Sequence, residues 1–197
     1  MHMMRLSKKN RKRVFDKGLR VLLLADSMIL FASAMFGPIY ALFVKKIGGD
    51  LLAASLTGGT FSLVAGITSL IAGKFADVFK KYDVFIVSFG YFVIGIGFLL
   101  YSFVDSIKLL ILVQAIIGFA EAFHYPAFDA LYSKHVVYEN AGTEWGAWES
   151  MYHFSNGLGA IIGGFIITAF GFNTAFLIMF LLCTFAGFFL IINKKEV

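Results

Sequence analysis

Cysteine, proline and charge are all scarce in this chain of 197 residues. Its one cysteine, Cys183, sits in an apolar run. It has no partner within the chain, so a disulfide scaffold is excluded and cysteine usage says nothing about redox compartment. Only two prolines, Pro38 and Pro126, stand in the way of long helices. Charged residues make up 15%, against about 25% in an average soluble domain. No zinc-protease helix motif, phosphate loop or nucleophile elbow occurs, so no enzyme is expected.

What the chain does contain is apolar. Hydrophobic residues reach 59% and the mean hydropathy is +0.83. Phe (24) and Gly (20) are abundant, a mix suited to helices that pack closely inside lipid. The net charge of +5 does not imply nucleic acid, because of where it lies. Arg5, Lys8, Lys9, Arg11, Lys12, Arg13, Lys17 and Arg20 all precede the first apolar run. A basic tail beside a membrane span fixes topology or touches anionic lipid.

A hydrocarbon core about 30 Å thick needs about 20 apolar residues as helix. Six stretches qualify: about Val21–Val44, Leu51–Ala72, Val84–Val104, Leu109–Leu131, Ala147–Ala169 and Thr174–Ile192. The expected architecture is therefore an all-α, polytopic membrane protein of six transmembrane helices. A basic tail (1–20) precedes the bundle (21–192), and a short tail (193–197) follows it. The basic start and Ala32-Ser33-Ala34 superficially fit a cleaved signal peptide. However, Asp26 breaks the apolar core and apolar residues continue beyond that tripeptide, so the segment is expected to be retained.

Lys and Arg set the orientation. With the N-terminus inside, fourteen lie on the cytoplasmic side: the eight tail residues, Lys74, Lys80, Lys81, Lys134, Lys194 and Lys195. Only Lys45, Lys46 and Lys108 fall outside. Both termini are expected to be cytoplasmic, in a prokaryotic inner or plasma membrane.

The chain also repeats itself. Aligning Pro38 with Pro126 lays Ala32–Pro38 over Ala120–Pro126 and Lys46 over Lys134. Gly66–Gly73 then falls on Gly157–Gly164, and Phe85, Phe89 and Phe98 on Phe176, Phe180 and Phe189. Two three-span repeats (about 21–104 and 109–192) follow. Three is odd, so the second is inverted, the layout of many secondary transporters.

Buried polar groups mark the candidate site. Asp26 sits in the inner third of the first span, where an acid costs up to about 3 kcal/mol. Either it titrates as part of a site, or it is an interfacial acid paired with Arg20 or another tail residue. In the fourth span Gln114, Glu121 and Tyr125 form one stripe, with His124 beside it. Glu121 lies close to the midplane, so it must face the bundle interior or a water cavity, and a site role is expected. Asp129 and Tyr132 lie nearer the cytoplasmic end and suit headgroups or caps. In the fifth span Glu149, Tyr152, His153 and Asn156 share a face. Opposed height by height, the two stripes are expected to converge. Metal-ligand spacings are absent, so neither metal nor cofactor is expected. Trp145 and Trp148 suit the interfacial belt, and Trp148 alternatively stacks on a substrate ring. Gly157, Gly163 and Gly164, with Gly90 and Gly97, suit close helix approach. The two prolines are expected to bend their helices.

The segment Gly73-Lys74-Phe75-Ala76-Asp77-Val78-Phe79-Lys80-Lys81 resembles the loop between the second and third helices of the major facilitator superfamily. Gly73, Ala76, Asp77 and Lys81 match that pattern; Val78 replaces a basic residue and Lys80 a glycine. Leu112–Gly118 followed by Pro126-Ala127 resembles the family's fourth helix, with Gln114 where Arg is common. The fifth span resembles its antiporter glycine motif at Gly146, Gly159, Gly163 and Gly164, with Ser155 and Ala160 as departures. Members are built from two six-helix halves, and this chain resembles the amino-terminal half alone.

The resemblance implies a conformational role for Gly73, Asp77 and Lys81, and a substrate cavity lined by helices one, two, four and five, with helices three and six outside against lipid. It implies a secondary transporter for a small-molecule substrate, with protons as a candidate co-substrate. One half alone would turn Asp26, Glu121, His124 and Glu149 towards hydrocarbon, at roughly 10 kcal/mol summed. A homodimer enclosing the cavity is the expected remedy. The alternative is a non-transporting assembly or regulatory subunit, or half of a hetero-complex.

Overall fold

The structure, a computed structural model, describes residues 15–197. Arg5, Lys8, Lys9, Arg11, Lys12 and Arg13 of the basic tail lie outside the described residues. Inside lipid a backbone must satisfy its own hydrogen bonds. The described residues do this as helices: α1 (Lys17–Ala34), α2 (Tyr40–Lys46), α3 (Leu51–Val78), α4 (Asp83–Leu100), α5 (Ile107–His135), α6 (Ala141–Phe170) and α7 (Phe172–Ile192). With α1 and α2 counted as one broken span, six are long and apolar enough to cross a membrane.

The ends follow local chemistry. The Asp16 carboxylate accepts from Leu19 N at 2.8 Å and so starts α1 at Lys17. The last four residues of the expected tail are thus helical. Asp50 caps α3 in the same way through Ala53 N. Pro38 interrupts the first span with a short 3-10 turn, Gly37–Ile39, between α1 and α2. Pro126 does not interrupt α5, which runs on to His135. Gly171 alone joins α6 to α7 with φ +82°, a conformation that side chains resist.

The packing crosses between the two repeats. The main pairings are α3 with α5, α1 with α6, α4 with α5, α1 with α7, and α4 with α7. Exchanging the first three spans for the last three leaves this set unchanged. Within the first repeat only α2 and α3 pack together; within the second, α6 and α7 do. The aligned segments also do the same job. Thr68 and Ala72 are buried small residues of α3, and Gly159 and Gly163, which align with them, are buried on α6. Near Gly159 and Gly163 the backbone of α1 at Phe31 and Met35 approaches so closely that no Cβ fits without displacement.

At the end of the bundle opposite the described termini, aromatic rings fill the core. Phe36 meets Phe176 edge-on with ring centres 5.0 Å apart, and Phe43 meets Phe172 at 5.4 Å. By contrast α3 and α6 bury few residues. Their large apolar side chains, among them Leu63, Leu70, Phe154 and Phe165, stay exposed. These two helices form the flanks of the face on which the candidate site opens.

Candidate functional site

Asp26 is enclosed, with 1% of its surface exposed. Trp148 Nε1 of α6 donates to its Oδ2 at 3.1 Å, and the Tyr91 hydroxyl of α4 donates to its Oδ1 at 3.3 Å. Both donors are neutral, so this carboxylate joins three helices without a cation. Arg20 does not pair with it; its Nε donates to Phe15 O instead. The expected pairing of Asp26 with Arg20 is therefore corrected, and Trp148 is partly buried against the core. Trp148 also stacks on Tyr152, with centres 5.7 Å apart.

A second polar group lies further along the bundle. The Tyr101 hydroxyl donates to Gln114 Oε1 at 3.2 Å, and the Tyr40 hydroxyl donates to Thr57 Oγ1 at 2.6 Å. Tyr40, Tyr101 and Gln114 line a cavity of about 270 Å³ between the first four spans, with Glu121 on its wall; the third span, expected against lipid, contributes Phe98 and Tyr101, whereas the lining residues include none from the fifth. Gln114 and Glu121 share it, as their spacing predicts. Glu121 makes no hydrogen bond among the described residues. A carboxylate held this way in a cavity of about 270 Å³ is open to a ligand or a proton.

The two expected stripes do not converge. His124 is fully buried against α4: Gly90 leaves it space, its ring meets Tyr91 edge-on at 5.0 Å, and its Nδ1 lies 3.1 Å from Ala120 O. Its Nε2 has no partner. Tyr125 stacks on His124 at 4.7 Å rather than entering the cavity. On α6, Asn156 Nδ2 donates to Tyr152 O of its own helix at 2.8 Å. Glu149 and His153 pair with each other at 3.1 Å on the exposed face, with side chains 59% and 70% exposed. The reason is the bundle order: α6 packs mainly on α1 and α7 and meets α5 at Tyr132, whose hydroxyl donates to Glu144 O. A single protomer therefore already covers Asp26 and His124. Of the four groups expected to face hydrocarbon, Glu121 and Glu149 remain open.

The motif residues divide as well. Asp77 is exposed and pairs with Lys80 at 3.8 Å; Lys81 is exposed too. Gly73, Gly157 and Gly164 border open space, which corrects the close-approach reading for Gly157 and Gly164. Gly163, Gly90 and Gly97 do sit at tight contacts, with Met35, His124 and Ile117.

Sequence reasoning missed three polar anchors at the end that holds the described termini. Asp83 is buried and accepts from Lys134 Nζ at 2.9 Å, tying α4 to α5. Glu144 is buried and accepts from Val137 N at 2.7 Å. His135 Nδ1 lies 2.8 Å from Asp16 Oδ2, and its Nε2 lies 3.2 Å from Val197 O. Asp83 and Glu144 fall just outside hydropathy-defined spans, which is why periodicity within those spans did not find them. Tyr91, the second partner of Asp26, gave no signal either, since a lone Tyr in an apolar run suits core packing equally.

No curated protein matches the chain. Residues 22–196 match the Major Facilitator Superfamily, and that match covers all six spans. The fold agrees: six helices long and apolar enough to cross a membrane, packed in two exchangeable sets of three. The chain is a multi-pass membrane protein and belongs to the major facilitator superfamily.

Proposed function

We propose that this protein is a secondary transporter that moves a small organic solute by alternating access, as a homodimer of six-helix halves, and that Glu121 couples the movement to protons. The observation that carries the reading is Glu121 itself. It is a carboxylate without a hydrogen bond, on the wall of a cavity between spans, in a segment that must cross the membrane. Such a group is costly there and marks a solute or ion path. Gln114, Tyr40 and Tyr101 supply hydrogen-bonding groups around the same space.

The dimer is supported by what one protomer leaves uncovered. The Glu149–His153 pair and the apolar flanks of α3 and α6 are exposed. A second copy facing the first encloses both, with the two-fold axis along the membrane normal. Asp26, Trp148 and Tyr152 then stand at the back of the cavity, and Asp77 and Lys81 at the interface on the side of the termini. That side is cytoplasmic by the distribution of Lys and Arg.

The test is flux. A thermal-shift panel of metabolites and drugs on the detergent-purified protein selects a ligand, which is then followed into proteoliposomes under an imposed pH gradient. Uptake or efflux driven by that gradient is expected, and Glu121→Gln abolishes the drive. Cysteines introduced singly at Leu70 and Leu158 are expected to cross-link two copies. Flux that ignores the gradient, or a species that stays monomeric and uncross-linked, overturns the corresponding part of the reading.

A further inference from the structure

The distribution of charge inside the bundle is one-sided. No Lys or Arg occurs between Arg20 and Lys45, between Lys46 and Lys74, or between Lys108 and Lys134. These gaps contain almost all of the first, second and fourth spans, the main walls of the cavity. The same stretches carry Asp26, Glu121 and Asp129. Asp26 is already satisfied by Trp148 and Tyr91. Among the described residues Glu121 has no hydrogen-bond partner, and no lysine, arginine or histidine lines its cavity. His124, the nearest group able to carry positive charge, is sealed between α5 and α4 on another side of the helix.

The rest of the wall is aromatic. Phe36 and Tyr101 are 5.0 Å apart, Phe36 and Tyr40 5.5 Å, and Phe98 stacks on Tyr101 at 6.3 Å; Phe61 closes the other side. Aromatic faces are negative and attract cations, more strongly where water is scarce. A sugar would find few free tyrosine donors here, because the hydroxyls of Tyr40 and Tyr101 already donate within the protein and are left as acceptors. An anion would meet an unpaired carboxylate on the cavity wall. From this we infer that the cavity takes a monovalent organic cation with an apolar or aromatic body, such as an alkyl- or arylammonium ion, whose charge pairs with Glu121 while its body lies among Phe36, Tyr40, Phe61 and Tyr101. The inference rests on the transporter reading only in calling the ligand a substrate; the site itself is defined by binding.

The experiment uses the full chain in detergent, with benzyltrimethylammonium as the probe and benzenesulfonate as its anionic counterpart. Benzyltrimethylammonium is expected to raise the thermal transition saturably, whereas benzenesulfonate leaves it unmoved. Glu121→Gln weakens the cation by about tenfold or more, and Glu121→Asp keeps most of the affinity. On the unmutated chain, carbodiimide labelling of Glu121, read by peptide mass, is slowed by the cation and not by the anion. That measurement stands even where Glu121→Gln fails to fold. Equal response to both ions, response to neither, or labelling that the cation does not slow overturns the cation site. Cation binding without cation flux in proteoliposomes leaves the site standing and removes the transporter reading. Flux of an uncharged solute that the cation does not inhibit does the reverse.

Discussion

Trp148 Nε1 reaches Asp26 Oδ2 at 3.1 Å across 122 residues of sequence, fastening α6 to α1. The indole N–H can only donate, so the bond requires an acceptor oxygen at that position. Replacing either partner therefore has a defined effect. Trp148→Phe keeps most of the ring and leaves Asp26 Oδ2 buried without its donor, at a cost of about 1–3 kcal/mol. Asp26→Asn with the amide oxygen turned to Trp148 is milder. In the double variant the losses are expected to fall short of their sum. Thermal unfolding of the four proteins in one detergent measures the coupling. Fully additive losses would show that the bond contributes nothing.

Gly163 and Gly164 are neighbours with opposite surroundings. A Cβ at Gly163 runs into the backbone of α1 at Met35, and a backbone cannot step aside as a side chain can. Gly163→Ala is expected to destabilise by about 1–3 kcal/mol or to push α6 off α1. Gly164→Ala borders open space and is expected to be neutral. Yield and monodispersity on size exclusion compare the two. Equal behaviour would contradict the packing of α6 on α1.

Lys134 and Asp83 form a pair whose two ends differ in burial, 48% exposed for the lysine side chain and 1% for the aspartate. Lys134→Ala strands a buried carboxylate, whose second oxygen already lacks a partner. A loss of about 1–3 kcal/mol is expected, more than exposure of the lysine alone suggests. Asp83→Asn together with Lys134→Met recovers most of it, because no charge is then left unpaired. Thermal shift decides; a single-variant loss that the double variant does not recover would place the effect elsewhere.

Orientation is open to a direct check. Cysteines at Ser106 and at Glu139 lie in connections at opposite ends of the bundle. With the termini cytoplasmic, an impermeant maleimide applied to whole cells labels the first and spares the second. Cys183 is buried and contributes no background. The opposite labelling pattern would invert the topology.

The six spans were legible because lipid imposes a length and a hydropathy that few other segments meet. The alignment of the two sets of spans laid Thr68 and Ala72 over Gly159 and Gly163, and all four are buried. The site was legible in part. Spacing along α5 put Gln114 and Glu121 on one wall correctly, since helical periodicity fixes which residues share a face. It could not say which helix that face meets. His124, one position outside the stripe, turned to α4, and the polar face of α6 turned away from α5. Partners such as Tyr91 and Trp148 depend on the order of helices in the bundle, which no local pattern encodes. Asp83 and Glu144 escaped because an acid at the edge of an apolar run looks like an ordinary end of the run.

The pairing of helices across the repeats also has a consequence for biogenesis. Until α5 follows, α3 and α4 have no main partner, and α1 has none until α6 and α7 arrive. The first three spans thus leave the ribosome with little to hold on to. Assembly of this protein waits on the last segments to be synthesised, and a nascent chain stalled after the third span would be a ready target for membrane quality control.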